Sequence, residues 1–500
     1  MKRPCVRITR VFSEYYSPLL LFALYTAVIL KATAQQLISM EELAQAAIES
    51  ALRTGVSFAD IRIEDTKTAV IEMVDGVTRR SLASRLKGAG LRAFIDGAWA
   101  FVQTTDLTPR GMREAGSSVA KMALATRSRV GERYDLSGPA FEGRVELKVQ
   151  EPFDRLSMEE KVAFAKMIDD QTREFDKRIS NTRTVYTELW TNLYVANSLG
   201  TKVYIENALP RITANPTAKD GSSKQRAFKT LSMRGGFELM RTKQAQTIGE
   251  EAAKLAVALL SSIAVKGDVY DVIMDPIFNG VMVHEAFGHA CEADSWLAHQ
   301  TVLEGKVGET VGPDNMNLSD DPTLPGQRGT FEYDWEGTKT KKRRLVVNGV
   351  LTNLLHSLET SCRLGMEANG AARAQSFMSP PIPRMSNTFM EPGNWGVDEL
   401  IRDTKRGVLL CDFNYGYTEP SKGQFMFQAS YGYMIENGEL GQIVRDASIA
   451  GQILEVLPKV DAIGNDLQME AGTCGKDGQM VPDNSGGPHA RVRAVPVGGM

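Results

Sequence analysis

The 500-residue chain reads as an α+β protein: an N-terminal antiparallel sheet covered by helices, then a strand-rich C-terminal domain built around one helix. Three observations predict this. Short alternating segments are separated by Asp-Gly and Asn-Gly pairs, the signature of two-residue hairpins. Capped helical stretches punctuate the first half, while the second half is mostly hairpins. With 43% hydrophobic and 24% charged residues, the composition suits a globular chain of more than one domain.

Ser39-Met40-Glu41-Glu42 is a capping box, and the Ala-rich stretch after it is a helix reaching Leu52 and closed by Gly55. Alternation predicts strands over 60–64, 69–74, 91–95 and 99–103, with type I′ turns at Asp75-Gly76 and Asp96-Gly97. Thr108-Pro109 opens a helix running to about Arg129, and Ser157-Met158-Glu159-Glu160 caps another ending near Phe175. Strands over 184–195 and 202–206 flank Asn197-Ser198-Leu199-Gly200. Residues 215–224 are polar and read as a loop, and a helix over 249–263 follows. The boundary between an N-terminal domain, 35–266, and a C-terminal domain, 267–500, falls at Lys266-Gly267. Beyond it a strand over 269–274 leads to the Asp275-Pro276 helix start. Hairpins turn at Asn348-Gly349 and Asn437-Gly438, and the proline-rich stretch 379–384 is extended.

Residues 1–34 read as a signal peptide. Lys2, Arg3, Arg7 and Arg10 precede an apolar run over 18–30, and Ala32-Thr33-Ala34 is a small-x-small cleavage site before Gln35. The run is short for a membrane span, so export to a periplasmic or other extracytoplasmic compartment, with no stable membrane span after cleavage, is expected. A retained anchor and a cytoplasmic chain are the alternatives. A formal net charge of -3 offers no broad basic surface, and nucleic acid is not an expected partner. Cleavage removes Cys5 and leaves Cys291, Cys362, Cys411 and Cys474, which in an oxidising compartment can form two disulfides in three connectivities.

Only five histidines occur, and two bracket an acid in His284-Glu285-Ala286-Phe287-Gly288-His289. Imidazoles are favoured zinc ligands, and a carboxylate beside them can accept and return a proton. On a regular α-helix, histidines five residues apart point ~140° away from each other. The metal-binding helix must therefore widen into a π-type turn or end near Gly288, where no side chain opposes distortion. A bare pattern of this kind also arises by chance.

The surroundings add weight. Val283 through His289, followed by Cys291-Glu292-Ala293-Asp294, resembles the metal signature of the TldD subunit in the TldD/PmbA family. Val347-Asn348-Gly349-Val350-Leu351, Pro383-Arg384-Met385-Ser386-Asn387-Thr388, Gly464-Asn465-Asp466-Leu467 and Cys474-Gly475-Lys476-Asp477-Gly478-Gln479 fall in the family's order. The N-terminal half is similar mainly in element order and in Gly90-Leu91-Arg92-Ala93-Phe94. The resemblance implies a zinc peptidase acting on unfolded or flexible peptides. It maps the zinc ligands onto His284, His289 and Cys474, and the catalytic acid/base onto Glu285. It further implies a heterodimer with a related subunit lacking the metal motif, a homodimer being the alternative. Family members lack an export signal, which is where this chain departs.

Cys474 lies between Gly472 and Gly475, whereas Cys291, two residues past His289, points ~200° away on a helix. His299 and His356 remain possible third ligands. Glu292 is a candidate acceptor for a ligand imidazole, or else a solvated acid at a helix end. The basic run 339–344 reads as the charged end of a hairpin, and Asp483-Asn484-Ser485-Gly486 as a turn. The alternative to an enzyme is a non-catalytic peptide-binding or maturation subunit of a paired complex. An acid beside the histidines favours the peptidase.

Overall fold

The computed structural model describes residues 40–499, so the signal-peptide expectation and the Ser39 cap lie outside the described residues. The Asp-Gly and Asn-Gly turns form as expected. Asp75, Gly76, Asp96, Gly97, Asn348, Gly349, Asn437 and Gly438 all have positive φ, as type I′ hairpins require. The strands they join are longer than alternation predicts. Residues 60–64 and 69–74 belong to one strand, Phe58–Val74, whose partner Val77–Ile95 runs for 19 residues. The polar centre stays paired, Asp65 facing Lys87 on one side and Asn192 on the other. Residues 77–85 are exposed throughout, so no apolar period marks them as strand.

The N-terminal sheet is ordered Ala98–Thr104, Val77–Ile95, Phe58–Val74, Ile179–Asn197, Lys202–Asp220, Glu142–Val145. It is antiparallel except for the last strand, which runs parallel to Lys202–Asp220. Residues 215–224 are not a loop. Lys202–Asp220 extends through most of them and turns back at Gly221 into Ser223–Arg226. Lys219 and Asp220 are exposed at the strand's end, so composition there resembles a loop.

Helices 40–54, Pro109–Thr126, Met158–Glu174 and Lys243–Leu259 cover the sheet. Ala47, Met112 and Ala120 pack with Ile61 and Leu91, and Ile168 and Ile248 with Ile71, Tyr186 and Ile212. The last helix starts earlier than Gly249 because the Thr242 side chain accepts from the Ala245 N–H and caps it.

Two larger sheets and a two-stranded one, Ala372–Arg373 with Ile382–Pro383, make up the C-terminal half. The first contains a ring, Arg406–Glu419, Asp268–Met274, Ala490–Gly498, Ser448–Gln452, Gln424–Glu436, that closes because Arg406–Glu419 also pairs with Gln424–Glu436, and Glu439–Arg445, Ile263–Ala264 and Val460–Ile463 extend the sheet outside it. The other runs Val350–Leu351, Arg343–Val347, Leu318–Asp320, Asn387–Met390, Gln479–Gly487, Gln468–Lys476. The helix Pro276–Met282 lies between them, against Arg406–Glu419 and Gln479–Gly487. Phe278, Met282, Val283 and Phe287 fill the layer with Val272, Met274, Leu410 and Val481. Each such side chain contributes roughly 1.5–3 kcal/mol by leaving water. Gly280 permits the approach, since a Cβ there would sit 2.5 Å from the Gly486 nitrogen.

Two expectations change here. Asp483-Asn484-Ser485-Gly486 is not a turn but part of strand Gln479–Gly487, paired on both sides. The basic run is not all solvated, because Arg343 is 1% exposed and paired with Asp320.

Candidate metal centre

Asp275 starts the central helix, its carboxylate accepting from the Phe278 N–H at 2.7 Å, with Pro276 in the first turn. After Met282 the helix widens into a π-turn over Val283–Gly288 and closes as a 3₁₀ turn, His289–Cys291. The His289 N–H donates to the His284 carbonyl. That five-residue step returns both imidazoles to one face, with ring centroids 5.2 Å apart. Gly288 is helical, with φ -60°. Its role is close contact: a Cβ would lie 2.1 Å from Met385 Sδ.

Cys474 comes from the edge strand Gln468–Lys476, opposite Val481, rather than from a loop. The donor atoms of His284, His289 and Cys474 all lie within 4.8 Å of one another, the one such cluster among the described residues. Cys474 Sγ is 3.5 Å from His289 Nε2. Tetrahedral zinc, with Zn–N of ~2.05 Å and Zn–S of ~2.3 Å, sets an N···S separation of about 3.5 Å. That pair matches tetrahedral zinc, and the chemistry of the three donors suits a metal ion. The Glu285 side chain is 36% exposed, with Oε2 3.8 Å from His289 Nε2. It borders an open cavity of about 410 Å³, shared with Ser295, Gln300, Thr418 and Lys476.

Glu292 is not a solvated acid. It is 1% exposed, and its Oε2 lies 2.9 Å from His289 Nδ1 and 3.1 Å from Lys476 Nζ. Burial pushes its carboxyl up, but Lys476 and His289 outweigh that and hold it at about 2. His284 Nδ1 is buried without a hydrogen bond, and the nearest carboxylate oxygen, Asp483 Oδ2, is 3.3 Å away. Gly472 makes room for this acid, since a Cβ there would meet Asp483 Oδ1 at 2.7 Å.

Burial pulls the His284 imidazole down, but Cys474 and Asp483 override it and carry it to about 9. His289 is likewise driven well up against burial by Glu292 and Cys474. Burial raises the Cys474 thiol, yet the two histidines bring it down to about 6. Each shift favours the charged form, and a bound cation would serve the same negative groups.

His299 is exposed and bonded to Glu304, and His356 is 0% exposed with Nδ1 near Thr360 Oγ1, so neither joins the cluster. Cys291, Cys362, Cys411 and Cys474 are all free thiols. Sequence reasoning missed Asp483, whose Asp-Asn-Ser-Gly context mimics a turn. Lys476 was missed as well, although it lies two residues past Cys474, a spacing that puts both side chains on one face of a strand.

Fold and donor set together define an α+β protein with a candidate metal site. The domain descriptions "PmbA/TldA metallopeptidase domain 1", "central domain" and "C-terminal domain" match residues 59–125, 151–260 and 267–499. A metalloprotease from Methanothermobacter thermautotrophicus is 34% identical over 446 residues, 89% of this chain and 96% of that protein. The chain belongs to the PmbA/TldD metallopeptidase family.

A zinc metalloprotease TldD homolog from Saccharolobus solfataricus is 26% identical over 459 residues, 90% of this chain and 99% of its own. TldE from Thermococcus kodakarensis superposes with a TM-score of 0.71 at 20% identity, covering 92% of this chain and 100% of its own. A candidate modulator of DNA gyrase from Thermotoga maritima gives a TM-score of 0.75 at 23% identity, with coverage of 92% and 100%. These likenesses establish the fold. The relatives' names group the chain with metalloproteases. Among the described residues, no helix is long and apolar enough to cross a membrane.

Proposed function

We propose that the chain is a zinc-dependent peptidase that hydrolyses peptide bonds in unfolded or flexible peptides, with zinc held by His284, His289 and Cys474. The observation that carries this reading is the convergence of the three donors within 4.8 Å, beside a Glu285 carboxylate facing open space. Zinc bound there supplies Lewis acidity toward a peptide carbonyl and acidifies water, three protein ligands leaving one position open. Glu285 accepts the proton that the attacking water loses and delivers it to the leaving amine. Glu292 holds the His289 ring through Nδ1, with Lys476 fixing the carboxylate in turn.

Substrate choice follows from shape. Residues 77–87 have no strand on their outer side among the described residues, because pairing with Ala98–Thr104 begins at Ala89. An extended peptide adding there gains backbone hydrogen bonds whatever its sequence. A folded protein, whose strands are held in its own sheets, does not present an isolated extended segment to the cavity beside that edge and is expected to be excluded. The reading includes a paired assembly, with a metal-less paralogue or a second copy, and an exported chain beginning at Gln35. Peptidase activity in a verified monomer would sink the first, and an intact mass that retains Met1 in the native host the second.

The functional test is hydrolysis of a disordered peptide with and without a chelator, alongside zinc content. Turnover that stops with the chelator and returns with zinc is expected. Bound zinc without turnover, with any paralogous partner present, would favour the non-catalytic binding role.

A further inference from the structure

A second cavity, of about 420 Å³, lies between the N-terminal sheet and the Cys474 hairpin. Thr473, Met480 and Pro482 of the hairpin line it. Their neighbours Cys474 and Asp483 face the histidines instead. Three arginines reach the lining: Arg234, Arg328 and Arg373. Glu332 neutralises Arg234 through two bonds of 2.8 and 3.0 Å. Among the described residues, neither Arg328 nor Arg373 has a carboxylate within the 4.0 Å of an ion pair.

Their protein partners are neutral. Arg328 donates from Nε to the Gly472 carbonyl at 3.1 Å and from Nη1 to Ser232 Oγ at 2.6 Å, leaving Nη2 without a protein acceptor. Arg373 donates to the Met385 and Pro482 carbonyls, and its Nε is buried with no acceptor. Phe331 and Trp335 hold its guanidinium 4.9 and 5.6 Å from their ring centroids. Glu64 is the one acid in the lining, and its oxygens already accept from the Thr66 hydroxyl at 2.6 Å and the Phe377 N–H at 2.7 Å. Burial lowers Arg328 to about 10 and Arg373 to about 9, so both stay cationic at neutral pH. Arg373 is buried and Arg328 half-buried, and Asp483 acts on both only from beyond ion-pair distance, so an anion in the cavity would lower the cost of holding the two charges.

We propose that this cavity is a carboxylate subsite of the peptide-binding surface, in which Arg328, supported by the Arg373 charge, takes one carboxylate of the substrate. The proposal rests on the peptidase reading. Ser84 and Leu86 of the free sheet edge border the same cavity, so a peptide added to that edge runs along it. Gln468–Lys476 is the outer strand of its own sheet, with Thr473 on this cavity and Cys474 in the metal cluster. The carboxylate comes from the peptide's C-terminus or from an Asp or Glu side chain. Arg presents a planar fork matched to either.

The test uses an acetylated, dye-labelled ten-residue disordered peptide in four forms: C-terminal acid or amide, each with Glu or Gln at one internal position. Binding is read by anisotropy on the full-length, zinc-loaded Glu285→Gln protein, and turnover on the wild type. Loss of the recognised carboxylate is expected to raise Kd and KM about tenfold, the size typical of a charge-assisted bond. An effect of amidation assigns the terminus, and an effect of Glu→Gln in the peptide assigns a side chain.

Adding Arg328→Gln should erase the difference between forms, and Arg328→Lys should keep most of it. Equal Kd for all four forms overturns the subsite, and so does an undiminished difference in Arg328→Gln. The four-peptide comparison with Arg328 intact decides even where Arg328→Gln does not fold. Binding that prefers a carboxylate without any wild-type hydrolysis, with any paralogous partner present, keeps the subsite and removes the peptidase reading. Hydrolysis without preference does the reverse.

Discussion

Two pockets of the C-terminal half bury histidines, and they treat them in opposite ways. His356 sits at 0% exposure with only the Thr360 hydroxyl near Nδ1, and burial alone lowers it to about 4. His284 and His289 are nearly as buried, at 3% and 9%, yet both are raised because Cys474, Asp483 and Glu292 surround them. The difference shows that burial does not decide what a histidine is for. One pocket holds a neutral ring as packing, and the other concentrates negative charge around two rings, as a cation site does.

The largest effect that sharpens this contrast is expected at Glu285. Glu285→Gln keeps size and removes the proton acceptor, so turnover should fall ~10² to 10⁴-fold while zinc stays bound. Unchanged turnover, measured beside metal content, would remove Glu285 from the chemistry. A smaller effect is expected from the acid behind His289. Glu292→Gln should weaken zinc affinity by ~10- to 100-fold, as loss of an imidazole's outer partner does. Competition with a chromophoric chelator reads this, and wild-type affinity in the variant would show that the 2.9 Å contact is idle. Asp483→Asn should cost less, about tenfold, because its oxygen stands 3.3 Å from His284 without a formed bond. A greater loss there than in Glu292→Gln would reverse the ranking of the two sides.

The other side of the contrast, read as stability rather than as metal affinity or turnover, concerns His356. Its folded pKa lies below its unfolded value, so its contribution to stability is present above ~6.5 and lost as pH falls toward about 4. Wild type should lose on the order of 3 kcal/mol more than His356→Gln between pH 7 and pH 4. Urea unfolding at both pH values measures this, and equal losses would show that His356 does not titrate on unfolding.

Much of this contrast is legible in the residues. The five-residue spacing of His284 and His289 demands a distorted helix, and the π-turn over Val283–Gly288 supplies it. The hairpin turns at Asp75-Gly76 and Asn437-Gly438 follow from residues that tolerate positive φ. The charged neighbours are harder to read. Asp483 sits in a polar stretch that looks like a turn, and only pairing on both sides makes it strand. Glu292 looks like any acid after a helix until Lys476 and Arg384, distant in sequence, enclose it. Residues 77–85 carry no apolar period because neither face of that strand is buried. Local pattern reports which groups a segment carries, while tertiary packing decides which of them meet.

The central claim is that His284, His289 and Cys474 form one zinc site, and zinc stoichiometry tests it most directly. Metal content is measured on purified wild type, on His284→Ala, and on Cys474→Ala beside Cys291→Ala, Cys362→Ala and Cys411→Ala. The account predicts about one zinc per chain in wild type and in the three control cysteine variants, as a single three-ligand site requires. It predicts near-complete loss in His284→Ala and Cys474→Ala. Stoichiometric zinc retained by Cys474→Ala, or Cys474 found in a disulfide in active protein, would contradict it.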